Sequence, residues 1–331
     1  MNAIIIDKTG DNKVLQYQTV ADARLKPNEV RMKVTATAVN YIDTLIRSGN
    51  MPPGMMPSLP FTPGVECIGV VEEVGPQINN LNVGDKVAYF GKIGAATYAE
   101  QVVTTHDRLV SIPASVNDVA AAVVPVNYAT AYHMLHNMAK VTNNDVLLVH
   151  AAAGGVGTAL IQLAKLVGAT VIGSVGSDEK KQYILDQGAD FAINYKTENL
   201  VESVNEMTEG KGVNVSFNPV ASESMLTDLQ VLAPFGHLVI FGFLAGLPNQ
   251  PLQEALLNHF GKSLTVSYSD IYTLYNADFE RLKSILSTLF EFLSLGKIAP
   301  KVYQEIPLAN ASTAHELLES GKVVGKLVLV P

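Results

Sequence analysis

Apolar and polar positions change rhythm along this chain. Up to residue 125 the pattern is β-rich. Val30-Arg31-Met32-Lys33-Val34-Thr35-Ala36 alternates with period two, which puts one apolar face on a half-buried strand. Met1 to Lys8, Val65 to Val74 and Val83 to Ala88 predict further strands, and Met51-Pro52-Pro53-Gly54 with Pro57 to Pro63 predicts a surface loop. From 126 to 267, short continuous apolar runs at 146–150, 170–173, 191–193, 213–217 and 237–241 alternate with helical patterns at 156–167, 178–187, 198–208 and 222–232. Fully apolar strands between amphipathic helices predict an α/β unit with a parallel sheet covered on both faces. The tail predicts helices at 276–295 and 310–320, then a strand, Lys326 to Val330. No helix follows that strand, so it is expected to return to the first domain.

The junction of the first apolar run and its helix carries the strongest chemical signal. Val146-Leu147-Leu148-Val149-His150 leads into Ala151-Ala152-Ala153-Gly154-Gly155-Val156-Gly157, and the helix that opens there has the stripe Val156, Leu160, Leu163, Ala164, Val167. A buried strand, a glycine turn and a helix start are the parts of a dinucleotide-binding βαβ unit. Glycine lets the backbone turn tightly and a pyrophosphate approach, and the helix N-terminus offers free N–H groups to it. Ala153, Gly154, Gly155, Val156 and Gly157 are therefore candidate phosphate-contacting positions.

Composition narrows the picture. A chain of 331 residues suggests two domains, and 48% hydrophobic with 16% charged residues fits large cores. The net charge of −8, without a basic run, argues against a nucleic-acid partner. The one cysteine, Cys67, sits in an apolar strand and is expected to be a buried, inert thiol. No uncharged apolar stretch reaches the roughly 18 residues of a membrane span and no secretory leader pattern opens the chain, so a cytoplasmic enzyme is expected. His133 and His136 lack a third ligand in view, and no nucleophile elbow of the G-x-S-x-G type follows a suitable strand.

Several segments together resemble the medium-chain dehydrogenases/reductases, in the zinc-free quinone oxidoreductase (zeta-crystallin-like) branch. Asp145-x-x-Leu148-x-x-x-Ala152-Ala153-Gly154-Gly155-x-Gly157-x-x-x-x-Gln162-x-x-Lys165 matches the branch signature, with Asn144 departing from it. Asn40-Tyr41-Ile42-Asp43-Thr44-x-x-Arg47-x-Gly49 is a second branch motif. Pro63-Gly64-Val65-Glu66-x-x-Gly69-x-Val71, Gly84-Asp85-Lys86-Val87 and the ending Ala314-His315-x-x-Leu318 to Gly325-Lys326 are similar to the wider family. The resemblance implies a discontinuous GroES-like β-rich substrate domain (1–125 and 268–331) and a Rossmann doubly wound parallel-sheet domain (126–267), with nicotinamide in the cleft between them. It also implies a homodimer joined at the cofactor-domain sheet edges, near 237–243 and 264–269.

Zinc members of the family bind the metal at positions that look like Asn40, Val65 and Val126 here, and none of these suits zinc. Without a Lewis acid, reduction of an already electrophilic quinone or α,β-unsaturated carbonyl is the expected chemistry, with water or a nearby hydroxyl supplying the proton. By resemblance, Asn40 and Thr130 lie beside the nicotinamide and its ribose. Phe241, Phe243 and Lys326 join the cofactor-contacting set, and Tyr41, Met51 and Tyr128 line the substrate cleft. Packing is the first expectation for Tyr128, proton donation the second. About 20 residues past the glycines an NAD site carries an acid; here Val175-Gly176-Ser177 stands instead, with Lys180 and Lys181 after it. With Tyr195 resembling the family residue near a 2′-phosphate, NADPH is the expected cofactor, although Asp178 or Glu179 would oppose it unless they serve the helix dipole. Reduction of enoyl thioesters, and a non-catalytic NADPH-binding role of a crystallin-like or sensory kind, remain alternatives. Asn218-Pro219, where relatives have a more Gly- and Asp-like turn, leaves the local cofactor contact open.

Overall fold

The computed structural model describes residues 1–51 and 54–331; the expected loop at Met51-Pro52-Pro53-Gly54 falls partly outside the described residues, at Pro52 and Pro53. The chain divides into two compact units, Met1–Ala129 with Leu274–Pro331, and Thr130–Thr273. The expected boundaries, 125/126 and 267/268, lie a few residues earlier. The first observed boundary falls inside a helical run that starts at Asp118 and continues through wide turns at Val124–Tyr128 and His133–Met138, where the sequence shows no break.

The strands in chain order are β1 (Asn2–Ile5), β2 (Gln16–Thr19), β3 (Glu29–Ala38), β4 (Glu66–Val74), β5 (Lys86–Phe90), β6 (Gln101–Thr105), β7 (Leu109–Ser111), β8 (Val146–Val149), β9 (Thr170–Val175), β10 (Phe191–Asn194), β11 (Val213–Asn218), β12 (Leu232–Ile240), β13 (Thr265–Tyr268), β14 (Val302–Pro307) and β15 (Lys326–Val330). In the first unit a seven-stranded sheet runs β14-β15-β3-β4-β5-β7, with β6 also on β3. The period-two reading of β3 holds: Val30, Met32 and Val34 are buried against Cys67, Val71 and Val87, while Arg31 and Lys33 face outward. The terminal strand does return to this unit, where β15 pairs antiparallel with β3 and parallel with β14. Its Leu327 and Leu329 pack on Ile4, Ile6 and Val39.

The second unit is a six-stranded parallel sheet in the order β10-β9-β8-β11-β12-β13. This is the doubly wound order, in which the chain runs outward from β8 to one side and then from β11 to the other. Helices Gly155–Val167, Asp178–Asp186, Leu200–Met207 and Glu223–Val231 connect the strands, one or two residues from their expected ends. Leu148, Ile172, Ile193, Leu238 and Ile240 form the centre of its core. β12 begins at Leu232 rather than 237, because an irregular stretch around Phe235 (φ 64°) precedes its regular part.

One glycine tests the packing of the first sheet. A Cβ built on Gly69 of β4 would lie 2.2 Å from the Lys33 carbonyl oxygen of β3, a backbone atom that cannot swing aside as the nearby Met32 methyl could. Gly69→Ala is therefore expected to cost about 2 kcal/mol and to lower the melting temperature by roughly 4–8 °C. An unchanged thermal scan would show that β3 and β4 do not approach in this way.

Candidate functional site

The glycine turn has the predicted form. Gly154 is the N-cap of helix Gly155–Val167 and brings no side chain to close the first-turn N–H groups. Gly157 is required sterically, since a Cβ there would stand 2.6 Å from Ala151 O and Ala152 Cα. Ala153 is buried and Val156 half-buried at the same turn. An unclosed helix N-terminus at the C-terminal edge of a parallel sheet fits a pyrophosphate by hydrogen bonding and by dipole.

The end of the neighbouring strand β9 provides a second cradle. A Cβ on Gly176 would lie 2.7 Å from Tyr195 Oη and 3.4 Å from Lys196 Cε, so the three residues converge. Ser177 caps helix Asp178–Asp186. Lys180 is half-buried, and burial, then the charge of Lys196, pulls its ammonium below the usual lysine range. An anion between these lysines would relieve both effects. Lys196 was not singled out from sequence, although it follows Tyr195 directly. Lys181, which was, is committed elsewhere: its Nζ lies 2.6 Å from Glu198. Asp178 accepts a 2.9 Å hydrogen bond from Asn194, and Glu179 is held below the usual carboxylate range by its own backbone N–H and the Ser177 hydroxyl. Both behave as first-turn acids. Phe241 is half-buried, and Phe243 is exposed and stacks on Tyr268 at 5.9 Å between centroids. Thr130 is buried.

The first unit holds a different cluster. Asn40 is the N-cap of helix Tyr41–Ser48 and is buried. Its Nδ2 donates to Glu66 Oε1 at 2.8 Å and its Oδ1 accepts from Lys326 Nζ at 2.5 Å. Lys326 also donates to Asn127 Oδ1 at 2.9 Å and stands 3.5 Å from Glu66 Oε1, while the Val126 N–H closes Glu66 Oε2 at 2.7 Å. Burial pushes Glu66 up and Lys326 down, and their opposite charges resist both shifts. Asn40 keeps one carbonyl lone pair for a ligand and is no proton donor here. Tyr128 has no exposed surface, which matches packing rather than a cleft wall or proton donor. Tyr41 is 43% exposed and Met51 half-buried. Glu66 and Asn127 were not among the expected site residues; Glu66 appeared only inside a family motif.

A second network supports Asn40 from behind. Asp43 accepts from the Asn40 N–H at 2.8 Å and from Tyr98 Oη at 3.1 Å. His315 Nε2 lies 3.3 Å from Tyr98 Oη, and Arg47 reaches His315 Nδ1 at 3.4 Å and both Glu319 oxygens. Burial, then the Arg47 charge, pushes His315 down to about 3, so the ring is neutral. The network then has one consistent direction: Arg47 donates to Nδ1, Nε2–H donates to Tyr98, and Tyr98 donates to Asp43. Burial pushes the Asp43 carboxyl up to about 7. An acid whose folded pKa exceeds its unfolded value holds its proton better when folded, so its contribution to stability falls as pH rises from about 4 to about 7. Asp43→Asn cannot ionise. Its melting temperature relative to the unmodified protein is expected to rise across that window in a pH-resolved thermal scan, and a difference independent of pH would refute the shift.

Among the described residues no three His, Cys, Asp or Glu side chains cluster as metal ligands, and burial pushes the Cys67 thiol up. Two family models match, the alcohol dehydrogenase GroES-like domain over residues 26–114 and the zinc-binding dehydrogenase over residues 155–288. Quinone oxidoreductase of Pseudomonas aeruginosa is 35% identical over 323 residues, covering 97% of each chain. The 2-haloacrylate reductase of a Burkholderia species is 30% identical over 332 residues, covering 99% of this chain and 98% of its own. The crystal structure of Escherichia coli quinone oxidoreductase complexed with NADPH superposes with a TM-score of 0.92 at 34% identity over the full length of both chains. With whole-chain similarity of this kind, and with the glycine turn and doubly wound order beneath it, the chain belongs to the quinone oxidoreductase branch of the medium-chain dehydrogenases/reductases.

Proposed function

We propose that this protein is an NADPH-dependent reductase of quinones and related α,β-unsaturated carbonyls that works without zinc. The observation that carries the reading is the cradle of Gly176, Ser177, Lys180, Tyr195 and Lys196 at the end of β9. It offers hydroxyls and two cations where an NADH site would place an acid. The quinone oxidoreductase relatives and the NADPH complex support it, and the 2-haloacrylate reductase extends the substrate class to activated alkenes.

When bound, the nicotinamide supplies a hydride from C4 to the electrophilic substrate, and a proton from water completes the two-electron reduction. The chain binds and orients. The helix terminus at Gly154 would hold the pyrophosphate, Lys180 and Lys196 would hold the 2′-phosphate, and Asn40 is fixed by Glu66 and Lys326 so that its remaining lone pair has one direction. Zinc independence is supported by side-chain chemistry: Val65 and Val126 cannot ligate, and the Lys326 ammonium on Asn40 Oδ1 repels a divalent cation. A cytoplasmic location fits the observation that no helix among the described residues is long and apolar enough to cross a membrane. A homodimer through the second unit fits an edge strand, β13, flanked by Tyr268 (58% exposed) and Phe243 (53% exposed).

NADPH consumption with 1,4-benzoquinone, 9,10-phenanthrenequinone and a panel of enones tests the activity; binding without turnover across the panel would favour a non-catalytic role. Lys180→Ala and Lys196→Ala are each expected to raise KM for NADPH about tenfold and to leave NADH kinetics unchanged, and a lower KM for NADH than for NADPH in the unmodified enzyme would sink the cofactor assignment. Turnover should survive a chelator. Tyr268→Asp should shift sedimentation from dimer to monomer, and a monomeric parent protein would end the dimer reading.

A further inference from the structure

Two turns flank the point where the order of the parallel sheet reverses, one after β8 and one after β11. In doubly wound sheets that point is where ligands bind. Both turns hold L-residues in the left-handed region: Ala151 at φ 48° after β8, Ala221 at 59° and Ser222 at 51° after β11. Such backbone is strained and persists only where its surroundings over-determine it.

One buried carboxylate reaches both turns. Asp228, on helix Glu223–Val231, has no exposed surface. Its Oδ1 lies 2.7 Å from Nε2 of His150, the residue immediately before Ala151. Its Oδ2 accepts from Asn218 Nδ2 at 2.6 Å. Asn218 ends β11 and is used completely. Its other amide hydrogen reaches Ser224 Oγ at 2.9 Å, its Oδ1 accepts the Val220 and Ala221 N–H groups at 2.8 and 2.9 Å, and its backbone carbonyl accepts from Phe241 at 3.0 Å. Side-chain acceptance of N–H groups two and three residues on is the mechanism by which Asn shapes a turn. The Ser224 hydroxyl returns to Ala221 O at 2.5 Å. The Asn-Pro pair, out of pattern for the family, is therefore an anchored turn.

We propose that Asp228 is a positioning residue for the dinucleotide: through His150 and Asn218 it locks the glycine turn and the Asn218–Ser222 turn in their strained shapes, so that the pyrophosphate meets a preformed edge. The role rests on the NADPH reading above. A free turn would relax toward unstrained backbone, and ligand binding would then have to restore the strain. The cradle for the 2′-phosphate follows β9, whereas the Asp228 oxygens meet His150 and Asn218, so the two ends of the ligand depend on different residues.

Fluorescence titration of NADPH and competition by adenosine 2′-monophosphate, which carries the 2′-phosphate but no pyrophosphate, separate these ends. Asp228→Ala is expected to weaken NADPH about tenfold or more and to leave adenosine 2′-monophosphate unchanged. Asp228→Asn should restore most of the affinity, since its oxygen accepts from Asn218 and its amide donates to the other tautomer of His150. If Asp228→Ala does not fold, His150→Leu cuts only one arm and should weaken NADPH alone, with His150→Gln restoring it. Unaltered NADPH affinity in the foldable variant, or equal loss for both ligands, overturns the proposal. A parent protein that binds no NADPH overturns the cofactor reading and this proposal with it, whereas parent binding with unaltered variants overturns this proposal alone.

Discussion

The ligand edge of the parallel sheet depends on how closely helix Gly155–Val167 approaches the turn before it. At Gly157 a side chain of any kind would intrude on Ala151 O and Ala152 Cα, 2.6 Å from where its Cβ would stand. That approach leaves the first-turn N–H groups converging on one spot, with a glycine N-cap that cannot compete for them. Ala151 in the same turn takes the left-handed region, and the buried network beneath the turn is what that backbone leans on. The sheet supplies rigidity, because its central strands β8, β9 and β11 are buried on both faces and cannot slip without exposing Leu148 or Ile172.

The first unit solves a different problem, the burial of charge. Lys326 and Glu66 would each be untenable alone in a water-free site. Asn40 and Asn127 both accept from the Lys326 ammonium, Asn40 also donates to Glu66, and the Val126 N–H closes the second carboxylate oxygen. Asn40 belongs to this cluster through its side chain and to the Asp43–Tyr98–His315–Arg47 chain through its backbone. A single N-cap residue thus couples a helix terminus to two buried polar networks. Its orientation is therefore over-determined, by packing and by hydrogen bonds on both sides.

Much of this was legible. The strands of the second unit announced themselves because a doubly buried strand must be apolar throughout, and the helices because their stripes repeat at helical spacing. Gly154 and Gly157 were legible for the same reason, as steric requirements of a local turn. Partner choice was not. Lys181 and Lys196 are both lysines near the end of β9, yet one is spent on Glu198 and the other lies beside Gly176 and Tyr195. Tyr128 offered a hydroxyl to any sequence-based search for a proton donor, and a widened helical turn buries it completely. Asn127 gave no signal, since an amide between Val126 and Tyr128 has meaning only once Lys326 arrives from the other end of the chain.

Element type, order and the glycine turn came from the sequence by itself, because period, apolar content and the absence of a Cβ act over a few residues. The resemblance put Lys326 in the expected cofactor-contacting set without saying which side chains it would meet. Only the tertiary structure decided that Lys326 pairs with Glu66 and two asparagines, that Asp228 reaches both His150 and Asn218, and that Asp43 sits where burial raises its carboxyl to about 7. Those outcomes depend on desolvation and on which side chains meet across long stretches of chain. Neither quantity exists until the chain has folded.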